Sequence, residues 1–149
     1  MSPFETIVVT TDFSETSRLA LPTALEIARS FGSKLVLLHV VEDRLPPFVD
    51  EFTAYPVEEV LGSRMRRAAE ELERFALPHE GQGAEIERVV LHGTPHLEIV
   101  AFATATSAGL IAMATHGRGF ISHALFGSTT ERVLRRAPCP VLTVRTPEP

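Results

Sequence analysis

A single-domain α/β fold, an open parallel five-stranded sheet with helices on both faces, is what this sequence predicts, and three observations carry the prediction. Five short apolar runs alternate with longer amphipathic stretches along the chain. The second run, KLVLLHVV at residues 34–41, is near-continuously apolar, as a strand covered on both faces must be. At 149 residues with 44% hydrophobic content, the chain has the length and apolar material of one full core without metals or disulfides. Strand–helix alternation of this kind implies right-handed crossovers and a parallel sheet.

Residues 6–11 (TIVVTT) read as the first strand. Residues 14–31 follow as a helix, with Leu19, Leu21, Leu25, Ile27 and Ala28 near helical spacing and Gly32 as the stop. The second strand spans 34–41. Residues 42–57 contain Pro46, Pro47 and Pro56 and read as a loop, which by position would cover one side of a site at the strand ends. Helical character returns over 58–77 and stops at Pro78, Gly81 and Gly83. Residues 86–91 form a third strand. Thr94 then reads as an N-cap with Pro95 at the first helical position, and that helix runs to about 107. Residues 109–115 (GLIAMAT) are the fourth strand. Ser128 to Glu131 (STTE) fits a capping box opening a helix that ends near Ala137, and 140–145 is the fifth strand. The tail after Arg145 is expected to fray.

Bulk properties exclude several classes. The net charge of -5 argues against nonspecific nucleic-acid binding. No apolar run approaches the roughly 20 residues of a membrane helix, and the opening residues have neither the basic nor the apolar region of a signal peptide. Cys139 is the only cysteine, so no internal disulfide can form. A cytoplasmic protein that binds neither nucleic acid nor membrane is expected.

Open α/β sheets bind ligands beyond the carboxyl ends of their strands, where the winding reverses. The loops there supply Thr10, Thr11, Asp12, Phe13 and Ser14, then His39, Val40, Val41 and Glu42, then Thr115, His116, Gly117, Arg118 and Gly119. Gly127 and Ser128 sit at the start of the next helix, where free amides and the positive end of the dipole suit a phosphate. Ser128, Thr129 and Thr130 add hydroxyls, and His116 and Arg118 add charge. The plainer alternative, that Ser128 only caps its helix and the glycines only turn the chain, has equal weight on these residues alone. Asp12 has a similar alternative as an Asx-turn or N-cap. His39 reads as a satisfied core histidine and Cys139 as a small apolar filler. His92 and His96 have no partner at metal-ligand spacing. There is no G-x-x-x-x-G-K-[ST] loop, no G-x-G-x-x-G after the first strand and no G-x-S-x-G elbow. No nucleophile, base and orienting acid assemble by spacing, so no catalytic or metal-binding residue is assigned.

Three segments resemble the universal stress protein family. They are IVVTTDFSE at 7–15, LLHV at 37–40, and MATHGRGFISHALFGSTTERVLRRAPCPVLTV at 113–144, whose closing APCPVLTV is similar to the family's typical ending. The resemblance covers nearly the whole chain, weakly over 42–80. It implies a Rossmann-like sheet of the adenine-nucleotide α-hydrolase kind. Members that bind ATP carry glycine, two residues, glycine, nine residues, then glycine and Ser or Thr. Gly117, Gly127 and Ser128 match that pattern, while Ala114 takes the first glycine position. One methyl is the mildest change there, so binding is expected to survive, with affinity the property it would alter. By resemblance, phosphates of ATP, with or without Mg2+, would lie on Gly117, Gly127, Ser128 and Thr129, with Thr130 and Arg118 nearby. Asp12, flanked by Thr10 and Thr11, would sit by the ribose and adenine end. Val40 would meet the adenine edge, and Met113 and Ala114 would line the pocket. The family commonly pairs its last strand across a homodimer, here Val141–Val144, a short apolar edge that would be sticky if left unpaired.

Three readings follow in order. The first is an ATP-binding stress or signalling module with at most slow hydrolysis. The second is a nucleotide-free dimeric member, motivated by Ala114. The third is a nucleotide-transforming enzyme, supported only by His116 and Arg118.

Overall fold

A computed structural model describes residues 2–116 and 125–145. Among them, five strands form one sheet: β1 (Thr6–Thr10), β2 (Lys34–Glu42), β3 (Ile86–Gly93), β4 (Leu110–Ala114) and β5 (Val141–Val144). All neighbouring pairs are parallel, in the spatial order β3-β2-β1-β4-β5. The chain therefore winds outward from β1 through β2 to β3, then returns to the other side of β1 for β4 and β5. The reversal falls between β1 and β4, where Ile7 pairs with Leu110 and Val9 with Ala112.

The helices are α1 (Ala20–Phe31), α2 (Val57–Ala76), α3 (Pro95–Ala105) and α4 (Ser128–Arg136). Strand residues alternate between two buried clusters, as a two-residue side-chain period requires. Ile7, Val9, Leu35, Leu37, Leu110 and Ala112 pack with Leu21 and Leu25 of α1 and with Leu72 and Phe75 of α2. Val8, Leu38, Ile111 and Met113 face the other way, onto Ile99 and Ala103 of α3 and Val133 of α4. The predicted sheet with helices on both faces is the one observed.

Two helix starts differ from the sequence reading, each for a local reason. The first α-helix begins at Ala20 rather than at 14, after a 3-10 turn at Thr16–Leu19. Pro22 has no N–H to give the α-helical ladder, so it fits only within a first turn. Upstream, the polar side chains hold the chain in a tighter path. The Ser17 hydroxyl donates to the Ser14 carbonyl at 2.8 Å, and the Ser17 amide donates to the Ser14 hydroxyl at 3.2 Å. Thr94 and Pro95 occupy the N-cap and first position of α3, yet Thr94 makes no side-chain cap bond.

The capping box at Ser128 does not form either. Gly127 is the N-cap of α4, Ser128 is the first helical residue, and no side chain caps the start. Glu131, expected to reach back, instead takes Arg135 one turn ahead at 2.8 Å. An i,i+4 ion pair on an exposed face competes directly with the box for the same carboxylate. The stop signals fared better. Gly32 ends α1 in a left-handed conformation at φ 66°, its amide donating to the Ala28 carbonyl.

Candidate functional site

At the carboxyl ends of β1, β2 and β4 lies a cavity of about 500 Å3. Thr10, Thr11, Asp12, Val40, Met113, Ala114, His116, Gly127, Ser128, Thr129 and Thr130 all line it. Residues as far apart in sequence as Thr10 and Thr130 thus converge because the sheet reverses its winding between β1 and β4. Gly117 and Arg118, also expected at the site, lie outside the described residues.

At the α4 end, two hydrogen bonds fix the start of the helix against β4. The Gly127 amide donates to the Thr115 carbonyl at 2.8 Å and anchors the turn to the end of β4. The buried Thr130 hydroxyl donates to the Ala114 carbonyl at 2.9 Å and fixes the helix axis from the other side. Thr130 therefore serves the position of α4, whereas exposed Ser128 and half-buried Thr129 present the first turn to the cavity. Among the described residues no side-chain cap hydrogen bond is made to the helix start, whose partial positive charge lies at the cavity lining.

Across the cavity, the loop after β1 is held by its own side chains. Asp12 accepts the Ser14 amide on Oδ1 at 2.9 Å, an Asx-turn, while Glu15 and not Asp12 occupies the N-cap of the following 3-10 turn. The Thr11 hydroxyl accepts the Phe13 amide at 2.9 Å and shares a buried hydrogen bond with Ser17 at 2.8 Å. Phe13 is thereby turned into the left-handed region at φ 66°, which few residues with a side chain adopt. Its ring lies on His39 with centroids 4.2 Å apart.

His39 is satisfied, as expected, but at the cavity wall rather than in the core. A carbonyl can only accept, so Nδ1 carries the proton and donates to the Thr11 oxygen at 2.8 Å. Cys139 packs partly buried beside the α3–α4 cluster, and burial pushes its thiol up from the ordinary cysteine value. His92 has a carboxylate neighbour, Asp43, with Nδ1 3.2 Å from both oxygens. Among the described residues no three His, Cys, Asp or Glu gather as a metal site. Among them, too, no helix is long and apolar enough to cross a membrane.

The sequence reading does not include Arg44, Pro95 or Ile99, which also line the cavity, while Glu42, read in the loop after the second strand, lines it as well. Glu42 ends β2, and its carboxylate meets Arg44 Nε at 2.7 Å on the rim. Pro95 and Ile99 come from the first turns of α3. Their place follows from β3 lying beside β2, an order that periodicity alone does not reveal. The proline-bearing loop does reach the site, through Arg44.

The universal stress protein family pattern matches residues 3–145. Universal stress protein MJ0531 of Methanocaldococcus jannaschii is 34% identical over 148 residues, covering 97% of this chain and 84% of that protein. A universal stress protein of Thermus aquaticus is 33% identical, covering 95% of this chain and 99% of its own length. Among solved structures, MJ0577 of Methanocaldococcus jannaschii superposes with a TM-score of 0.79 at 29% identity, over 98% of this chain and 99% of that one. A universal stress protein in complex with cAMP does so with a TM-score of 0.73 at 28% identity, over 98% and 100%. On a match that runs from the first strand through the last, the chain belongs to the universal stress protein family.

Proposed function

We propose that this protein binds an adenine nucleotide, ATP above others, in the cavity between Asp12 and α4, as a regulatory or stress-response module. The observation that carries the reading is the N-terminus of α4, with no side-chain cap hydrogen bond among the described residues, at a cavity where a parallel sheet reverses. Phosphates belong at Gly127, Ser128 and Thr129, with Gly117 and Arg118 contributed by the segment between β4 and α4. The ribose belongs at Asp12. The base belongs against Val40 and Ile99, a small apolar wall suited to a purine. The relative bound to cAMP supports the adenine class. Mg2+ would accompany ATP through its phosphates, since no protein ligand set for a metal is assigned. Calorimetric titration with Mg-ATP and with AMP is expected to give saturable heat and a rise in melting temperature. No heat and no shift at millimolar ligand would overturn the reading.

Ala114 favours a second reading, a nucleotide-free member acting through protein contacts. Its methyl lies in the cavity lining where ATP-binding members carry glycine. Nucleotide released by denaturing protein purified without added ligand would refute it.

The dimer is proposed at β5. Its four residues are all half-buried, β4 pairs one side, and the other side is the sheet's edge. Light scattering at micromolar concentration is expected to return twice the chain mass of 16.3 kDa, and a monomer there would refute pairing through this strand.

A further inference from the structure

A second hollow of about 610 Å3 opens beside the first, and the two share Asp12, His39, Glu42 and Arg44 as a common wall. The Phe13–His39 stack stands between them as a fixed post, held by the Nδ1 hydrogen bond to Thr11. Beyond the wall, the hollow is bounded by Pro46 and Pro47 of the loop and by Arg64, Arg67 and Glu71 of α2.

The charges there are unevenly matched. Arg44 and Glu42 neutralise one another at 2.7 Å. Arg64 and Arg67 are three residues apart and so share one helix face. Among the described residues neither has a carboxylate within ion-pair distance, and Glu71, one turn from Arg67, does not pair with it. Arg64 Nη1 donates to the Arg44 carbonyl at 3.3 Å, which keeps that guanidinium at the hollow's edge with other donors to spare. Two guanidinium forks on one wall suit a phosphate, which accepts bidentate hydrogen bonds from each.

We infer that this second hollow receives a phosphate carried on the 2′ or 3′ oxygen of the ribose, so that the ligand class is an adenine nucleotide phosphorylated on its sugar as well as at the 5′ position. The inference rests on the reading above that the ribose lies at Asp12, the residue both hollows share. On that placement the ribose lies at the wall shared with the second hollow, on whose other side Arg64 and Arg67 stand to take a phosphate carried on its hydroxyls.

The test compares AMP, adenosine 3′,5′-bisphosphate and adenosine 2′,5′-bisphosphate by calorimetry on the wild-type chain and on the double variant Arg64→Ala, Arg67→Ala. Both side chains are exposed and lie outside the first cavity, so the variant is expected to fold and to bind AMP unchanged. One of the two bisphosphates is expected to bind wild type about tenfold tighter than AMP or better, and the double variant is expected to lose that advantage. Equal affinity of AMP and both bisphosphates for wild type would overturn this inference while leaving the nucleotide site standing. An advantage that survives in the double variant would also overturn it. Absence of AMP and ATP binding altogether would remove the nucleotide site itself, and this inference with it.

Discussion

Ser128→Asp is expected to weaken nucleotide binding on the order of a hundredfold while leaving the fold as stable as wild type or slightly more so. The two effects have opposite signs because the same partial charge governs both. Ser128 is the first residue of α4, and among the described residues no side-chain cap hydrogen bond is made to the helix start. A carboxylate there interacts favourably with the helix start, by about 0.3 to 1 kcal/mol. It also puts a negative charge where the phosphates belong, and a single like charge at contact distance opposes binding by several kcal/mol at an intermediate dielectric, roughly 4 kcal/mol at 4 Å. Thermal melting without ligand and calorimetry with Mg-ATP separate the two. Unchanged ATP affinity in this variant would move the phosphates away from α4. A lowered melting temperature would mean that Ser128 stabilises the helix in a way its exposed, uncapped position does not indicate.

Leu37→Ala is expected to cost about 3 to 4 kcal/mol of folding stability, enough to bring a domain of ordinary stability close to unfolding at room temperature. Leu37 is fully buried in β2, in register with Val9 of β1, and belongs to the cluster that α1 and α2 cover. A cavity left there is walled by strands whose backbones are fixed by hydrogen bonds on both sides, so little collapse can refill it. Chemical denaturation should show the midpoint falling with an unchanged slope, and thermal melting a loss of roughly 10 °C. A loss under about 1 kcal/mol would mean that the α1 and α2 layer repacks freely. The neighbouring residues Leu38, His39 and Val40 line the cavity, so binding should fail as the fold melts rather than before it.

The elements were legible in the sequence because each strand is a short apolar run, α1, α2 and α4 each carry an apolar stripe, and Thr94 and Pro95 mark the start of α3. The hydrophobic period does not depend on distant neighbours. Helix boundaries were legible where the backbone alone sets them, as at the start of α3 on Thr94 and Pro95. Gly32 ends α1 as read, since only its left-handed conformation matters. The box at Ser128 was misread because Glu131 had a second partner, Arg135, that the motif does not weigh. The start of the first helix was misread because Pro22 and the Ser14–Ser17 hydrogen bonds outrank an apolar spacing. At the site, glycine and hydroxyl residues on the chain's own loops were readable as a group. Arg44, Pro95 and Ile99 were not, since what brings them in is the order β3-β2-β1 and the path of a long loop. The hollow under α2 is still less visible, because its arginines belong to a helix whose pattern speaks only of its buried side.

The pairing of Ile7 with Leu110 also bears on how the protein comes into being. The central strand precedes β2 and β3 in synthesis, yet one of its two neighbours, β4, follows both. Contacts so far apart in sequence are slow to close and are rewarded only late. A nascent chain that has passed β3 holds β1, β2 and β3 with one flank of β1 unpaired, and half of the cavity wall has not been made. The cavity wall is thus complete only once β4 and α4 have docked, and a chain shortened before Leu110 would lack the half of it that they supply.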